Sequence, residues 1–175
     1  MSLIDVHAHF LTDQYREALA TAGIDQPDGF PRVPMWTAAD HVAVMDRLGI
    51  EACVLSVSSP GVQFGEGLGA SDATSLARHV NDVAAAAIAQ HPGRFGAFAS
   101  LPMSDEGESL AEIERALDGL GLDGVNLLTN VAGVYLGDAS LEPIMAELNR
   151  RRAVRSSTRH RRHAGSARRS AIRDR

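Results

Sequence analysis

The sequence predicts an α/β fold in which a parallel sheet is wound by right-handed crossovers. Three observations carry that prediction. Four short apolar runs recur along the first 150 residues, and each is followed, after a loop, by a segment of helical period. Strands alternating with helices in this way build parallel sheets. Polar residues gather at the carboxyl ends of the four runs, where parallel sheets bind ligands. With 175 residues, 45% of them hydrophobic, the chain can bury one domain core. Two architectures fit: an open doubly wound sheet, or part of a (β/α)8 barrel, which in full takes about 250 residues.

The elements follow in order. "LIDVH" gives a first strand over about 3–7. A loop carrying Pro27, Gly29, Pro31 and Pro34 leads to "TAADHVAVMDRLGI". There Thr37 is placed as an N-cap with Asp40 three residues on, and Gly49 as the stop. "EACVLSVSSPG" predicts a strand over about 52–57, ended by Ser-Ser-Pro-Gly. A long alanine-rich helix runs to His91-Pro92-Gly93, and "FGAFASLP" is the third strand. "SLAEIERALDGLGL" then sets Leu110, Ile113, Ala116, Leu117 and Leu120 on one helical stripe. "DGVNLLTN" is the fourth strand and "SLEPIMAELNRR" the fourth helix.

In a strand, residues i and i+2 share a face, so regular alternation places Asp5, His7 and His9 together. Two imidazoles on one face can reach a single divalent cation. The other strand ends contribute Ser56 to Ser59, Ser100 and Pro102, and Thr129 and Asn130. Of these, Ser58 and Asn130 are the candidates for substrate contact. Arg32, in the long loop above the sheet, could clamp a carboxylate bidentately. "GVQFGEGLGASD" lies beyond the second strand rather than joining the first strand to its helix. It reads as an active-site loop and not as a dinucleotide fingerprint. Solvated or capping roles are expected for His41, His79 and His91.

Cys53, the single cysteine, sits in an apolar run and is expected to be buried packing. One cysteine excludes an internal disulfide framework and fits a reducing cytoplasm. No apolar run approaches the roughly 18–20 residues of a membrane span, and the first strand begins too early for a signal sequence to precede it.

The segments "IDVHAHF", "MDRLGIEACVLSVSSPGVQFG", "VNDVAAAAIAQHPGRFGAFASLPM" and "LGLDGVNLLTNVAGVYLGDASLEPIMAELNRR" resemble the aminocarboxymuconate-semialdehyde decarboxylase family. This group of the amidohydrolase superfamily includes 6-methylsalicylate and γ-resorcylate decarboxylases. The resemblance runs over residues 3–152. It implies the first half, four βα units, of a metal-dependent (β/α)8 barrel, with zinc as the usual metal and manganese in some members. His7 and His9 match the first two metal ligands, and Arg32 matches an arginine that holds the substrate carboxylate. The family's later ligands, a His in a strand-five His-Pro motif and an Asp ending strand eight, have no counterpart here. Nor does its acid–base His on strand six. The resemblance implies non-oxidative decarboxylation of a small carboxylic acid, with no nucleic-acid or membrane partner, and it allows a homodimer for the full-length form. Spacing alone leaves open a C–N or C–O bond hydrolase on the same scaffold.

The net charge of −5 conceals two unlike segments. Residues 1–149 hold 6 Arg against 21 Asp and Glu, whereas residues 150–175 hold 11 Arg against Asp174 alone. From Arg150 the apolar periodicity stops, so residues 153–175 read as a disordered basic tail appended to a barrel fragment over 1–152. One reading of that tail is a nucleic-acid-binding arm on a non-enzymatic module. A frameshift near codons 152–154 explains it better. Read two nucleotides later, with GC-rich codons, Val154–Thr158 and the arginine-type codon after it can spell Ala-Phe-Val-His-Pro. A half barrel so cut would leave strands one and four as open edges.

Overall fold

A computed structural model describes residues 2–27, 31, 33–64 and 70–158. The elements run β1 (Leu3–His9), α1 (Asp13–Thr21), α2 (Ala38–Leu48), β2 (Ile50–Ser56), α3 (Ala70–Gln90) and β3 (Phe95–Ala99). Then come α4 (Glu106–Glu114), extended by a π turn over Arg115–Gly119, and β4 (Gly124–Leu128). A small hairpin, β5 (Asn130–Val131) and β6 (Val134–Tyr135), precedes α5 (Glu142–Arg150) and β7 (Val154–Thr158). The main sheet is parallel throughout, in the order β1-β2-β3-β4-β7. It curls into half of a (β/α)8 barrel, which decides between the two architectures.

Local chemistry places the helices as expected. Thr37 Oγ1 accepts the Asp40 amide at 3.0 Å, and Gly49 closes α2 at φ 70°, a left-handed conformation that costs glycine little. On α3, Ala73, Ala77, Val80, Ala84 and Ala87 are buried at helical spacing. All but Ala73 join Leu55, Ala97, Val125 and Leu127 from the sheet, Ile113 and Ala116 from the α4 segment, and Ile144 and Leu148 from α5 in the same core. The core therefore lies between the outer face of the sheet and its helices. Small side chains on α3 let a long helix pack closely on β3.

The structure corrects the reading of the chain's end. Residues 154–158 are not a disordered tail but the fifth strand of the sheet. Gly124 to Leu128 align one for one with Val154 to Thr158. Thr158 adds a hydroxyl bond to Asn126 Oδ1 at 3.2 Å, and its carbonyl accepts the Thr129 amide at 3.0 Å. A parallel ladder is made by backbone groups, so it forms over Val-Arg-Ser-Ser-Thr without the apolar pattern that sequence reading requires. Arg150 and Arg151 are likewise held by the fold. Both pair with Glu147 and Arg151 also pairs with Asp118, which holds the Glu147 carboxyl well below the usual carboxylate range. Residues 159–175 lie outside the described residues.

The open edges are consequently β1 and β7, not strands one and four. Leu3, Ile4 and Val6 on β1 and Val154 on β7 are each more than half exposed. Gly124 sets the approach of β7, because a Cβ there would collide with the Val154 carbonyl oxygen. Gly124→Ala is expected to cost about 1–3 kcal/mol, the usual range for overpacking. It should also release β7, read as faster amide exchange across 155–158 with protection of β2 and β3 retained.

Candidate metal centre

β1 delivers both histidines to the sheet's carboxyl end, and it extends to His9 rather than stopping near residue 7. The His7 and His9 rings lie 4.7 Å apart, centroid to centroid, and edge to face. Two imidazoles sharing one cation at Zn–N distances of about 2.0–2.1 Å have centroids about 4.5 Å apart at a right angle and about 5.2 Å apart at the tetrahedral angle. The observed separation falls between these values. His7 is exposed and His9 half-buried.

His9 is oriented by β2. Its Nδ1 lies 3.2 Å from the Ser56 carbonyl oxygen and 3.2 Å from Ser56 Oγ. A carbonyl only accepts, so the Nδ1 proton points at it and the lone pair falls on Nε2. Such a partner fixes the tautomer that a metal-binding histidine needs. Ser56 is the register partner of His9 across the parallel pair. That alignment could be read from the sequence once the strands were paired, although Ser58 was the serine singled out.

Asp5 does not share this face, contrary to simple alternation. The β1–β2 register shifts between Asp5 and Ala8: β1 advances three residues, from 5 to 8, while β2 advances two, from 53 to 55. This bulge aligns Asp5 with Cys53, on the side facing α2. Asp5 Oδ1 instead accepts the His7 amide at 2.9 Å, which satisfies a donor the irregular ladder displaces. The bulge is what turns Asp5 away from the histidines, which alternation over residues 7–9 keeps together.

The remaining candidates are dispersed around the mouth. Ser58 donates its hydroxyl to the Ser59 carbonyl at 3.2 Å. Asn130 is buried; its Oδ1 accepts the Gly133 amide at 3.2 Å, while Nδ2 is without a partner among the described residues. Arg32 and residues 65–69 of the glycine loop lie outside the described residues. Sequence reading missed Asn126, which donates from Nδ2 to the Val57 carbonyl at 3.1 Å and so ties β4 to the end of β2 across the curl. A polar residue inside an apolar strand was its only signal. Two of the three histidines expected to be solvated or capping, His79 and His41, are engaged by other side chains. His79 Nε2 lies 3.0 Å from Thr12 Oγ1, and His41 is bonded to Trp36. Cys53 is buried and free as expected, its thiol pushed up to about 11, chiefly by burial and then by Asp5.

Among the described residues no group of three or more His, Cys, Asp or Glu converges on one point. The histidine pair thus fits two positions of a metal site and leaves the rest to other donors. Between the β5–β6 hairpin, the start of α4 and α5 lies a mostly apolar cavity of about 300 Å³ lined by Met103, Leu128, Val131, Leu136 and Ile144, with neither histidine in its lining.

A family model described as Amidohydrolase matches residues 4–156. The chain belongs to the amidohydrolase family. The 6-methylsalicylic acid decarboxylase acuB of Aspergillus aculeatus is 42% identical over 154 residues, covering 86% of this chain and 46% of that protein. Among solved structures, an amidohydrolase II superposes with a TM-score of 0.84 at 35% identity, over 90% of this chain and 50% of the other. A dihydroxybenzoic acid decarboxylase from Polaromonas sp. JS666, with bound manganese and the inhibitor 2-nitroresorcinol, gives 0.72 at 26% identity, over 88% and 48%. The chain spans about half the length of the relatives it matches. Among the described residues no helix is long and apolar enough to cross a membrane.

Proposed function

We propose that this amidohydrolase half-barrel carries the first half of the active site of a metal-dependent carboxy-lyase, one that removes carbon dioxide from a small aromatic carboxylic acid. The observation that carries the reading is the His7–His9 pair, at a spacing that suits one cation and on the strand that opens a barrel whose relatives are decarboxylases. Manganese in the Polaromonas structure supports a divalent metal. Zinc is the assignment we favour, because two imidazoles suit it.

In this reading His7 and His9 hold the cation, and Ser56 keeps the His9 lone pair on Nε2. When bound, the cation supplies Lewis-acid polarisation of substrate oxygens. Arg32 is assigned to the substrate carboxylate, with Ser58 and Asn130 as further polar contacts at the mouth. Protonation of the ring carbon that loses the carboxylate requires a general acid, and we assign none within residues 1–152. The further ligands and the acid are assigned to the second half of the barrel. The frameshift near codons 152–154, a cytoplasmic location and a homodimer of the full-length form belong to the same proposal.

The test is carbon dioxide release from 6-methylsalicylate and from 2,6-dihydroxybenzoate by the whole-barrel form loaded with zinc or manganese. Turnover of either substrate supports decarboxylation. Turnover of amides or esters without carbon dioxide release would overturn it in favour of a hydrolase. Nucleotide sequence across codons 148–180 and beyond tests the frame. A continuous frame with no barrel-coding sequence in the other two would remove the frameshift.

A further inference from the structure

Behind the mouth, on the helix side of β1 and β2, a second set of residues is joined by hydrogen bonds and ring contacts. The Trp36 indole Nε1–H donates to His41 Nδ1 at 2.9 Å, and the Cys53 sulfur lies 3.6 Å from His41 Nε2. An indole nitrogen only donates, so Nδ1 carries the lone pair and Nε2 the proton, which points at Cys53. The His41 ring meets Phe95 edge-on at 5.6 Å, and Trp36 meets Phe10 at 5.4 Å.

We propose that His41 is a positioning residue: its neutral imidazole accepts the Trp36 indole N–H and holds the indole against Phe10, the residue that follows His9. Phe10 is 2% exposed and its amide bonds the Ser56 carbonyl at 3.2 Å, the same carbonyl that faces His9 Nδ1. Trp36 therefore packs on the ring of the residue whose amide shares the carbonyl that orients a metal ligand. The arrangement needs a neutral imidazole. Protonated at Nδ1, His41 has no lone pair there to accept the indole, and the bond becomes a contact between two donors.

The surroundings favour the neutral form. Burial lowers the His41 pKa from its ordinary value near 6.5, and the one opposing charge facing it is Asp5, from β1. From β2, Cys53 presents a neutral thiol. Arg94, which also acts on Cys53, is committed to Asp46 of α2 at 2.7 Å and to the Glu51 carbonyl at 2.8 Å. From β3 only the apolar Phe95 ring reaches the imidazole, and His91 lies against that ring at 5.8 Å.

Trp36 is the single tryptophan of the chain, so its fluorescence reports this bond directly. The experiment is an emission titration of the chain between pH 8 and 4.5, with Zn²⁺ titrations at pH 8. The expected wild-type result is a step with a midpoint below about 6.5. His41→Asn keeps an acceptor near Nδ1 that does not ionise. It should keep the high-pH emission, show no step and bind Zn²⁺ as the wild type does. His41→Leu should show the low-pH emission at every pH and bind Zn²⁺ about tenfold more weakly, the lower end of what outer partners of metal ligands contribute. A flat wild-type titration, or a step that survives in His41→Asn, would overturn the Trp36–His41 bond as the sensor. Unchanged Zn²⁺ affinity in His41→Leu would overturn the positioning role. The role rests on the metal-site reading, but the fluorescence result does not, so the two fail separately. Far-UV circular dichroism confirms that each variant is folded.

Discussion

Replacing His9 by alanine is expected to abolish decarboxylation in the whole-barrel form and to weaken binding of zinc or manganese by more than about a hundredfold. The bound follows from comparison: outer partners of metal ligands alone are worth about 10–100-fold in affinity, and a ligand is worth more than its partner. Ser56→Ala separates the two contributions. It keeps both imidazoles and the Ser56 carbonyl but removes the hydroxyl 3.2 Å from His9 Nδ1. Its affinity should fall between wild type and His9→Ala, within that 10–100-fold range. Asp5→Asn supplies the contrast. Asp5 faces away from the pair and its side-chain oxygen accepts the His7 amide, so the variant should bind metal nearly as the wild type does. Isothermal titration of each variant checks the order. A His9→Ala protein with wild-type affinity would remove the metal centre, and an Asp5→Asn protein as impaired as His9→Ala would restore Asp5 to the site.

The Asp5 outcome shows where sequence reading worked and where it ended. The histidine pair was legible because it needs only strand period over three residues. The helices were legible because they carry their own boundary chemistry, as at Thr37 and Gly49. Asp5 was misplaced because a bulge depends on the register with β2, and register is a property of two strands. β7 was missed for a related reason. Its stability comes from the β4 ladder, and Val-Arg-Ser-Ser-Thr has no apolar alternation to advertise it. His41 was misjudged because a histidine on an amphipathic helix reads as solvated or capping until Trp36 and Cys53 are brought to its two nitrogens. The elements and one half of the site are local; the orientation of that half is tertiary.

The same contrast makes Arg115 the site of the largest expected loss of stability. Glu112 on α4 is fully buried. Its Oε1 accepts from Asn81 Nδ2 at 2.7 Å and from Arg115 Nη2 at 2.8 Å, and its Oε2 accepts from Arg115 Nε at 2.8 Å. The fork of Arg115 therefore closes on both carboxylate oxygens, while Nη1 reaches Asp82 on α3 at 2.6 Å. These bonds hold the Arg115 pKa above its ordinary value. Arg78, 3.6 Å from Glu112, is too distant to replace the fork. Arg115→Ala should cost about 3 kcal/mol, because it leaves a buried carboxylate short of its partner. Arg115 is about one-third exposed, which keeps the expectation at the lower end of the range for buried pairs. The damage should reach the mouth. Asn81, whose Nδ2 serves Glu112, also brackets Ser100 at the end of β3, donating to its carbonyl at 3.0 Å and accepting its amide at 2.8 Å. Adding Glu112→Leu to Arg115→Ala removes the stranded charge and should recover part of the loss, since an uncompensated buried charge is the main cost of breaking a buried ion pair. Urea denaturation of the two single variants and the double variant closes the cycle. A double variant less stable than Arg115→Ala would show that Glu112 contributes favourably even without its arginine, through Asn81 and Arg78 alone.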